Sequence, residues 1–159
     1  MPPGGKGTIT LKVNTRGYQG KIIKSARIYT NDPRTRMMVL RLSATIKVPI
    51  YLSSRYVYFY GPQGKEQTRV VEIVAKESKP LDITPAHFTL ADKLKYELRE
   101  VQKGKRFRLK FTTKDLSPGG YHGFLKLKTN YQETPEITIR IRARIVKAGI
   151  TRKGSTVVK

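Results

Sequence analysis

Apolar and polar residues alternate along most of the chain, so that each segment has one apolar and one polar face. Between Thr8 and Asn14 the apolar residues are Ile9, Leu11 and Val13. A period of two residues is typical of half-buried β-strands, and no segment shows the period of a helix. Turn-forming residues separate the alternating segments. The pattern predicts an all-β protein with strands over 8–14, 22–30, 37–48, 50–60, 68–75 and 93–101, and three more after residue 102.

Much of the pattern occurs twice, with a shift of 98 to 99 residues. The matched segments are Lys6–Thr15 with Lys103–Thr113, Gly20–Asn31 with Gly123–Asn130 if a short gap is allowed, and Leu40–Ile46 with Ile139–Ile145. In the first match Ile9, Leu11 and Val13 take the places of Phe107, Leu109 and Phe111. A repeat of about one hundred residues is the size of an immunoglobulin-type β-sandwich.

We therefore predict an all-β fold of two tandem Ig-like β-sandwich units, the first incomplete. Residues 1–48 form the C-terminal half of a first Ig-like domain, 49–147 a complete second domain, and 148–159 a basic C-terminal tail. Half a sandwich leaves an apolar face and a strand edge open. We expect another chain, another part of this chain, or a longer form of it to supply the missing strands.

The densest aromatic run is YVYFY at residues 56–60. Alternation places Tyr56, Tyr58 and Tyr60 on one face and Val57 and Phe59 on the other. We interpret the run as a strand whose Val57 and Phe59 enter the core, since tyrosine is common on strand surfaces. A tyrosine row that stacks on carbohydrate or on bases is the alternative.

The chain is strongly basic, with 33 Lys and Arg against 11 Asp and Glu and a formal net charge of +22. Residues 1–48 hold 10 basic and 1 acidic residue, residues 49–101 hold 8 and 7, and residues 102–159 hold 15 and 3. The positive charge therefore lies in the two repeat copies.

The alternation also predicts where the cations of the second copy point. If the apolar residues of its last strands face the core, their basic neighbours face solvent. The sequence thus predicts one basic sheet face formed by Arg106, Arg108, Lys110, Lys126, Lys128, Arg140, Arg142 and Arg144. Because like charges across strands are destabilising, this face is either a solvated surface or a docking surface for nucleic acid, anionic polysaccharide or lipid headgroups. Base-specific recognition is not expected, since few aromatics and no reading helix accompany the cations.

No pattern of catalytic or metal-binding residues stands out. The chain has no cysteine, His87 and His122 lie in different segments without an acid at ligand spacing, and Asp115 precedes a Ser-Pro-Gly-Gly turn. Phosphate-loop, dinucleotide-binding and nucleophile-elbow motifs are missing. We predict a non-enzymatic protein with no catalytic residue, no metal and no cofactor. No apolar run is long enough for a membrane span or a signal core.

The first 48 residues resemble the bacterial "domain of unknown function 1573" family, which is similar to Ig-like domains of the Hydin type. The matching features are Pro3-Gly4 before a strand, a glycine-centred loop at Gly17–Gly20, Thr30-Asn31 at a strand end, and a final strand at Leu40–Ile46. The second copy matches through Gly104, Gly119–Gly123 and Thr129-Asn130. The resemblance implies a β-sandwich, export to the periplasm or cell surface, and no established activity or functional residue.

The sequence favours a non-enzymatic structural or interaction module of an exported or cell-envelope assembly. We expect another protein chain, or a second copy, to add a strand to the incomplete first unit. The segment STVVK at residues 155–159 is a candidate donor. A polyanion-binding module that uses the basic face is the alternative function. A periplasmic chaperone ranks lower, because it rests on analogy with two-domain pilus chaperones alone. Periplasmic or cell-surface localisation rests on the family resemblance.

Overall fold

The computed structural model describes residues 7–114 and 116–147. The chain divides into two compact units, Met1–Val48 (unit 1) and Pro49–Lys159 (unit 2). The regular elements of the described residues are all β-strands, which confirms the predicted all-β class. In that part of the chain we find no helix long and apolar enough to cross a membrane. The predictions for Pro3-Gly4, Asp115 and the tail at 148–159 lie outside the described residues.

Unit 1 contains an antiparallel hairpin of β1 (Gly20–Tyr29) and β2 (Met37–Ile46). The hydroxyl of Thr30 holds its turn, donating to the carbonyl of Thr35 and accepting from the amide of Asp32. Thr30 suits this position because a short hydroxyl side chain can replace backbone partners within a turn.

The described part of unit 2 contains eight strands. In chain order they are β3 (Ile50–Leu52), β4 (Tyr56–Pro62), β5 (Thr68–Ala75), β6 (Ile83–Phe88), β7 (Leu94–Gln102), β8 (Arg106–Thr113), β9 (Gly119–Thr129) and β10 (Glu136–Val146). They form two four-stranded sheets, β4-β10-β9-β6 (the β10 sheet) and β3-β5-β8-β7 (the β8 sheet). β4 runs parallel to β10, and the other neighbours are antiparallel.

One hydrophobic core lies between the two sheets, so unit 2 is a β-sandwich. Strict alternation fills it: every second residue of β8 and β10 is buried. Phe59 and Ile139 from the β10 sheet meet Ile73, Leu109 and Phe111 from the β8 sheet, and all five are fully buried. Val57 and Phe59 face this core, as the alternation of the aromatic run predicts.

The single strand predicted over 50–60 is wrong, because the chain leaves one sheet and enters the other at residues 53–55. The hydroxyl of Ser54 donates to the carbonyl of Tyr56 (2.6 Å) and accepts from its amide (3.1 Å). The hydroxyl of Ser53 accepts from the amide of Glu72 at 2.9 Å. The two hydrogen bonds of Ser54 are local, and they take the place of the regular ladder where the chain changes sheets.

The two hairpins of the repeat have the same register. Gly20 pairs with Ile46 in unit 1, and Gly119 pairs with Ile145 in unit 2, each 99 positions later. The gap that sequence matching places before Gly123 is therefore wrong, since Gly20 corresponds to Gly119 with no gap. Sequence matching favours Gly123 because apolar residues follow that glycine, as they follow Gly20.

The correspondence of the two hairpins also holds at their turns and at one inward-facing strand position. Thr129 in unit 2 makes the same two turn hydrogen bonds as Thr30, donating to a carbonyl five residues on and accepting from an amide two residues on. Gly123 corresponds to Lys24. A Cβ at Gly123 would lie 2.5 Å from the Cγ of Leu90, so the core of unit 2 has no room for a side chain there.

The strand predicted over 8–14 is wrong, because residues 7–15 form no strand. The matching strand of unit 2, β8, hydrogen-bonds to β5 on one side and β7 on the other. The described residues of unit 1 provide no such neighbours. An apolar alternation without a ladder partner does not satisfy its backbone groups as a strand.

Candidate functional site

The eight predicted cations lie on the two opposite outer faces of unit 2. Arg106, Arg108 and Lys110 belong to the β8 sheet, whereas Lys126, Lys128, Arg140, Arg142 and Arg144 belong to the β10 sheet. Alternation correctly points each of them outward, but the single basic face is wrong. β8 and β9 are consecutive in the chain and lie in different sheets, which a strand pattern does not reveal.

The outer face of the β8 sheet is mixed in charge. Glu72 lies 3.7 Å from Arg108, and Glu97 lies directly across the ladder from Lys110. Arg99 forms an ion pair with Glu97 at 2.5 Å. Exposed pairs of this kind add little stability, and they reduce the attraction of the face for an anion. This part of the predicted site has the character of a solvated surface.

The outer face of the β10 sheet carries a row of arginines beside a row of tyrosines, and we call it the arginine–tyrosine face. The parallel ladder pairs Arg140 with Tyr56, Arg142 with Tyr58, and Arg144 with Tyr60. The three tyrosines are 54–61% exposed. The guanidinium of Arg140 lies 5.8 Å from the ring centroid of Tyr56, within the range of a cation–π contact.

The other neighbour of the arginine row is β9. Its antiparallel ladder places Phe124 opposite Arg140, His122 opposite Arg142, and Gly120 opposite Arg144. Because glycine has no side chain, an open recess of about 440 Å³ lies at this end, lined by Tyr58, Gly119, Gly120, His122, Arg142 and Arg144 among others. The arginine row thus lies between a tyrosine row and a mixed aromatic row.

The three arginines of β10 have no acidic partner in the described part of the chain. Among residues 7–114 and 116–147 no carboxylate forms an ion pair with Arg140, Arg142 or Arg144. Lys126 is paired with Glu136 at 3.1 Å, and Lys128 lies opposite the same glutamate. Unbalanced positive charge on the predicted cations of the β10 sheet is therefore concentrated at its arginines.

Sequence reasoning missed the tyrosines as part of this site, and its expectation of few aromatics near the cations is wrong. Tyr56 and Arg140 are 84 positions apart, and only the parallel pairing of β4 with β10 brings them together. The one available signal was the aromatic run itself. His87 and His122 both lie exposed on the strands of this sheet. The described residues contain no cluster of three or more side chains suited to a metal.

The second candidate surface is the apolar face of the unit 1 hairpin, which we call the open face. It is formed by Ile22, Ala26, Ile28, Met38, Leu40, Leu42, Ala44 and Ile46, which the ladder places on one side together with Lys24, whose ammonium donates to the hydroxyl of Tyr18 at 2.8 Å. Met38 is 43% and Leu40 37% exposed, whereas the corresponding residues of β10, Ile137 and Ile139, are 2% and 0% exposed. The same strand position is thus a core position in unit 2 and a surface position in unit 1.

Tyr131 lies in the turn between β9 and β10 and has a structural role. Its side chain is buried, and its hydroxyl donates to the carbonyl of Lys79 at 2.5 Å. Burial raises the pKa of this phenol, and the carboxylates of Glu77 and Glu133 raise it further. The hydrogen bond ties the hairpin turn to the segment before β6.

Comparison with known proteins leaves the function open. No protein-family model matches the chain, and no curated protein matches it. A solved structure of a protein of unknown function from Porphyromonas gingivalis W83 is similar, with 14% identity, a TM-score of 0.47, and coverage of 84% of this chain and 70% of that one. Domains 4 and 5 of the S-layer protein SbsC are similar with 13% identity, a TM-score of 0.34, and coverage of 89% and 84%. Neither likeness carries a functional argument.

Proposed function

We propose that the chain is a non-enzymatic interaction module of two Ig-like units, in which β-strands of another polypeptide complete unit 1. The observation that carries this proposal is the difference in burial between corresponding residues. Leu40 is 37% exposed where Ile139 is fully buried. Met38 and Leu40 are exposed at one end of the open face, whereas Ile22 toward its other end is buried, and adjoining exposed apolar residues are typical of an interaction site.

Unit 2 indicates what the partner must supply. There the residues that correspond to the open face pack against the β8 sheet, so the partner needs a sheet face with alternating apolar residues. β10 also has β4 along one edge and β9 has β6 along the other. The described part of unit 1 leaves both corresponding edges free, which offers main-chain hydrogen bonds to an added strand.

Residue-resolved hydrogen exchange of the purified chain tests the incompleteness of unit 1. We expect the amides of β1 and β2 to exchange much faster than those of β9 and β10, because no second sheet restricts opening of the hairpin. A monomer in which both hairpins are equally protected would refute the proposal.

A concentration series then identifies the partner class. If a second copy completes unit 1, the particle mass rises with concentration, and replacing Met38 and Leu40 by Glu abolishes the rise. Replacing Met37 and Val39 by Glu is the matched control, because these residues lie on the opposite face of the same strand. If the chain stays monomeric with poor protection, a second copy is ruled out, and the missing strands come from a different polypeptide or from a longer form of this chain. If unit 1 accepts strands from many unrelated clients, the chaperone alternative is favoured.

We propose polyanion binding as a second function, supported by the unpaired arginines of the arginine–tyrosine face. The cations of the β8 sheet do not contribute to the same site, because they lie on the opposite face. For about three phosphates on a single strand, the salt slope is roughly −2, which is a roughly 20-fold loss of affinity between about 50 and 200 mM salt. Binding that does not change with salt would contradict this function.

Family membership and export remain part of the proposal. The motif residues of the first copy support membership of the domain of unknown function 1573 family, and that resemblance supports a periplasmic or cell-surface location. Fractionation of the source cells tests the location: the chain should be found with periplasmic or surface proteins, and recovery from the cytoplasm alone would contradict it.

A further inference from the structure

We propose that the arginine–tyrosine face binds single-stranded nucleic acid, with phosphates on Arg140, Arg142 and Arg144 and bases stacked on the tyrosines of β4. This inference rests on the polyanion-binding function and names its ligand class. It adds a role for the aromatic rings, which electrostatic attraction alone does not use.

The arginine–tyrosine face combines the two chemistries that single-strand binding uses. Sequence-tolerant binding of single strands needs cations that follow the phosphate backbone and exposed aromatic faces on which bases stack. Both are present in adjacent rows, since each arginine of β10 lies beside one tyrosine of β4. The rings are more than half exposed, so a base has access to them. Phe124 and His122 offer further aromatic surface on the other side of the row.

The arginine row is electrostatically unfavourable without a ligand. Three arginines at alternate positions of one strand repel each other, and no carboxylate of the described residues pairs with them. On the β8 sheet, by contrast, glutamates accompany the cations. A surface that served only solubility would gain from the same mixture of charges. An anionic ligand supplies the missing counter-charge.

The spacing of the arginine–tyrosine pairs distinguishes a single strand from a duplex. Successive arginine–tyrosine pairs are two residues apart, or roughly 6.7 Å along the strands, about twice the ~3.4 Å rise per nucleotide of a stacked duplex strand. Consecutive nucleotides can each meet one pair only if the strand is extended and its bases are unstacked. In a duplex the bases stack on one another, and the tyrosines find no free base face.

Fluorescence anisotropy with labelled probes tests the ligand class. The probes are a 12-nucleotide single strand of mixed sequence, as DNA and as RNA, its duplex, and a polyuronate of similar charge as competitor. We expect the single strands to bind at least ten-fold more tightly than the duplex, and the polyuronate to compete weakly. Equal binding of the single strands, the duplex and the polyuronate, or tighter binding of the polyuronate, would overturn the single-strand proposal while leaving polyanion binding intact.

Point variants separate stacking from charge. Tyr58→Ala should weaken single-strand binding roughly five-fold or more, and Tyr58→Phe should restore it, because the ring rather than the hydroxyl stacks on the base. Tyr51→Ala is the matched control, since Tyr51 is an exposed tyrosine of the other sheet. If Tyr58→Ala binds like the wild type, the stacking role is refuted.

Charge variants test the function on which the inference rests. Arg142→Gln should weaken binding of every polyanion and flatten the salt dependence, whereas Arg106→Gln, on the opposite face, should have little effect. Loss of affinity in Arg142→Gln without loss in Tyr58→Ala retains polyanion binding and rejects the single-strand class. Equal effects of Arg142→Gln and Arg106→Gln would mean that attraction to the net charge explains binding, and both proposals would fail.

Discussion

Alanine substitutions at Leu40 and Ile139 compare the same position of the repeat in the two units. Ile139 is fully buried, so its truncation leaves a cavity in a closed core and should lower the free energy of unfolding of unit 2 by about 2–5 kcal/mol. Leu40 is 37% exposed and faces an open surface. Its truncation leaves no enclosed cavity, and we expect a loss of only about 1 kcal/mol from unit 1.

A urea titration followed by amide NMR signals measures this difference, because the signals report unit 1 and unit 2 separately. Val39→Ala controls for strand propensity, since Val39 lies on the opposite side of β2. The reasoning is refuted if Leu40→Ala in the isolated chain costs as much as Ile139→Ala, because that result requires a closed core around Leu40. When a partner completes unit 1, the cost of Leu40→Ala should rise toward that of Ile139→Ala.

Two further predictions concern stability. In urea unfolding, Gly104→Ala should destabilise unit 2 clearly more than Gly64→Ala. Both glycines have positive φ, at 61° and 78°, but only a Cβ at Gly104 would meet Pro80, at 2.7 Å. Equal losses of stability in the two variants would contradict this clash. Tyr131→Phe should cost about 1 kcal/mol near neutral pH through the lost hydrogen bond. Because the folded-state pKa of Tyr131 is raised, wild-type stability should fall as pH rises above the ordinary phenol value of 10.0, and Tyr131→Phe should lose less over that range. A parallel pH profile of the two proteins would contradict this assignment.

Local alternation was enough to predict much of the fold. β5 begins at Thr68 and ends at Ala75, as predicted, because its valine and isoleucine residues alternate cleanly between faces. Outward orientation of each basic residue followed from the same rule. The break at Ser54 was missed although the alternation changes phase there, since Ile50 and Leu52 are buried before it and Val57 and Phe59 after it.

Long-range pairing was the part that alternation could not supply. A strand pattern states which residues share a face of one strand, but it does not state which strand lies beside it. Arg106 and Arg140 were therefore assigned to one face although they belong to different sheets. For the same reason Tyr56 was separated from Arg140, its neighbour across the parallel ladder.

The difference between Gly123 and Lys24 has a consequence for how a tandem repeat folds. The hairpin of unit 1 leaves the ribosome before that of unit 2 and has the same register. We therefore expect it to compete with β9 and β10 for packing against the β8 sheet. Exchange between similar units is a known cause of misfolding in repeat proteins. Lys24 would place a long charged side chain where Leu90 leaves no room even for a Cβ. We therefore expect Lys24 to disfavour insertion of the earlier hairpin into the core of the later domain.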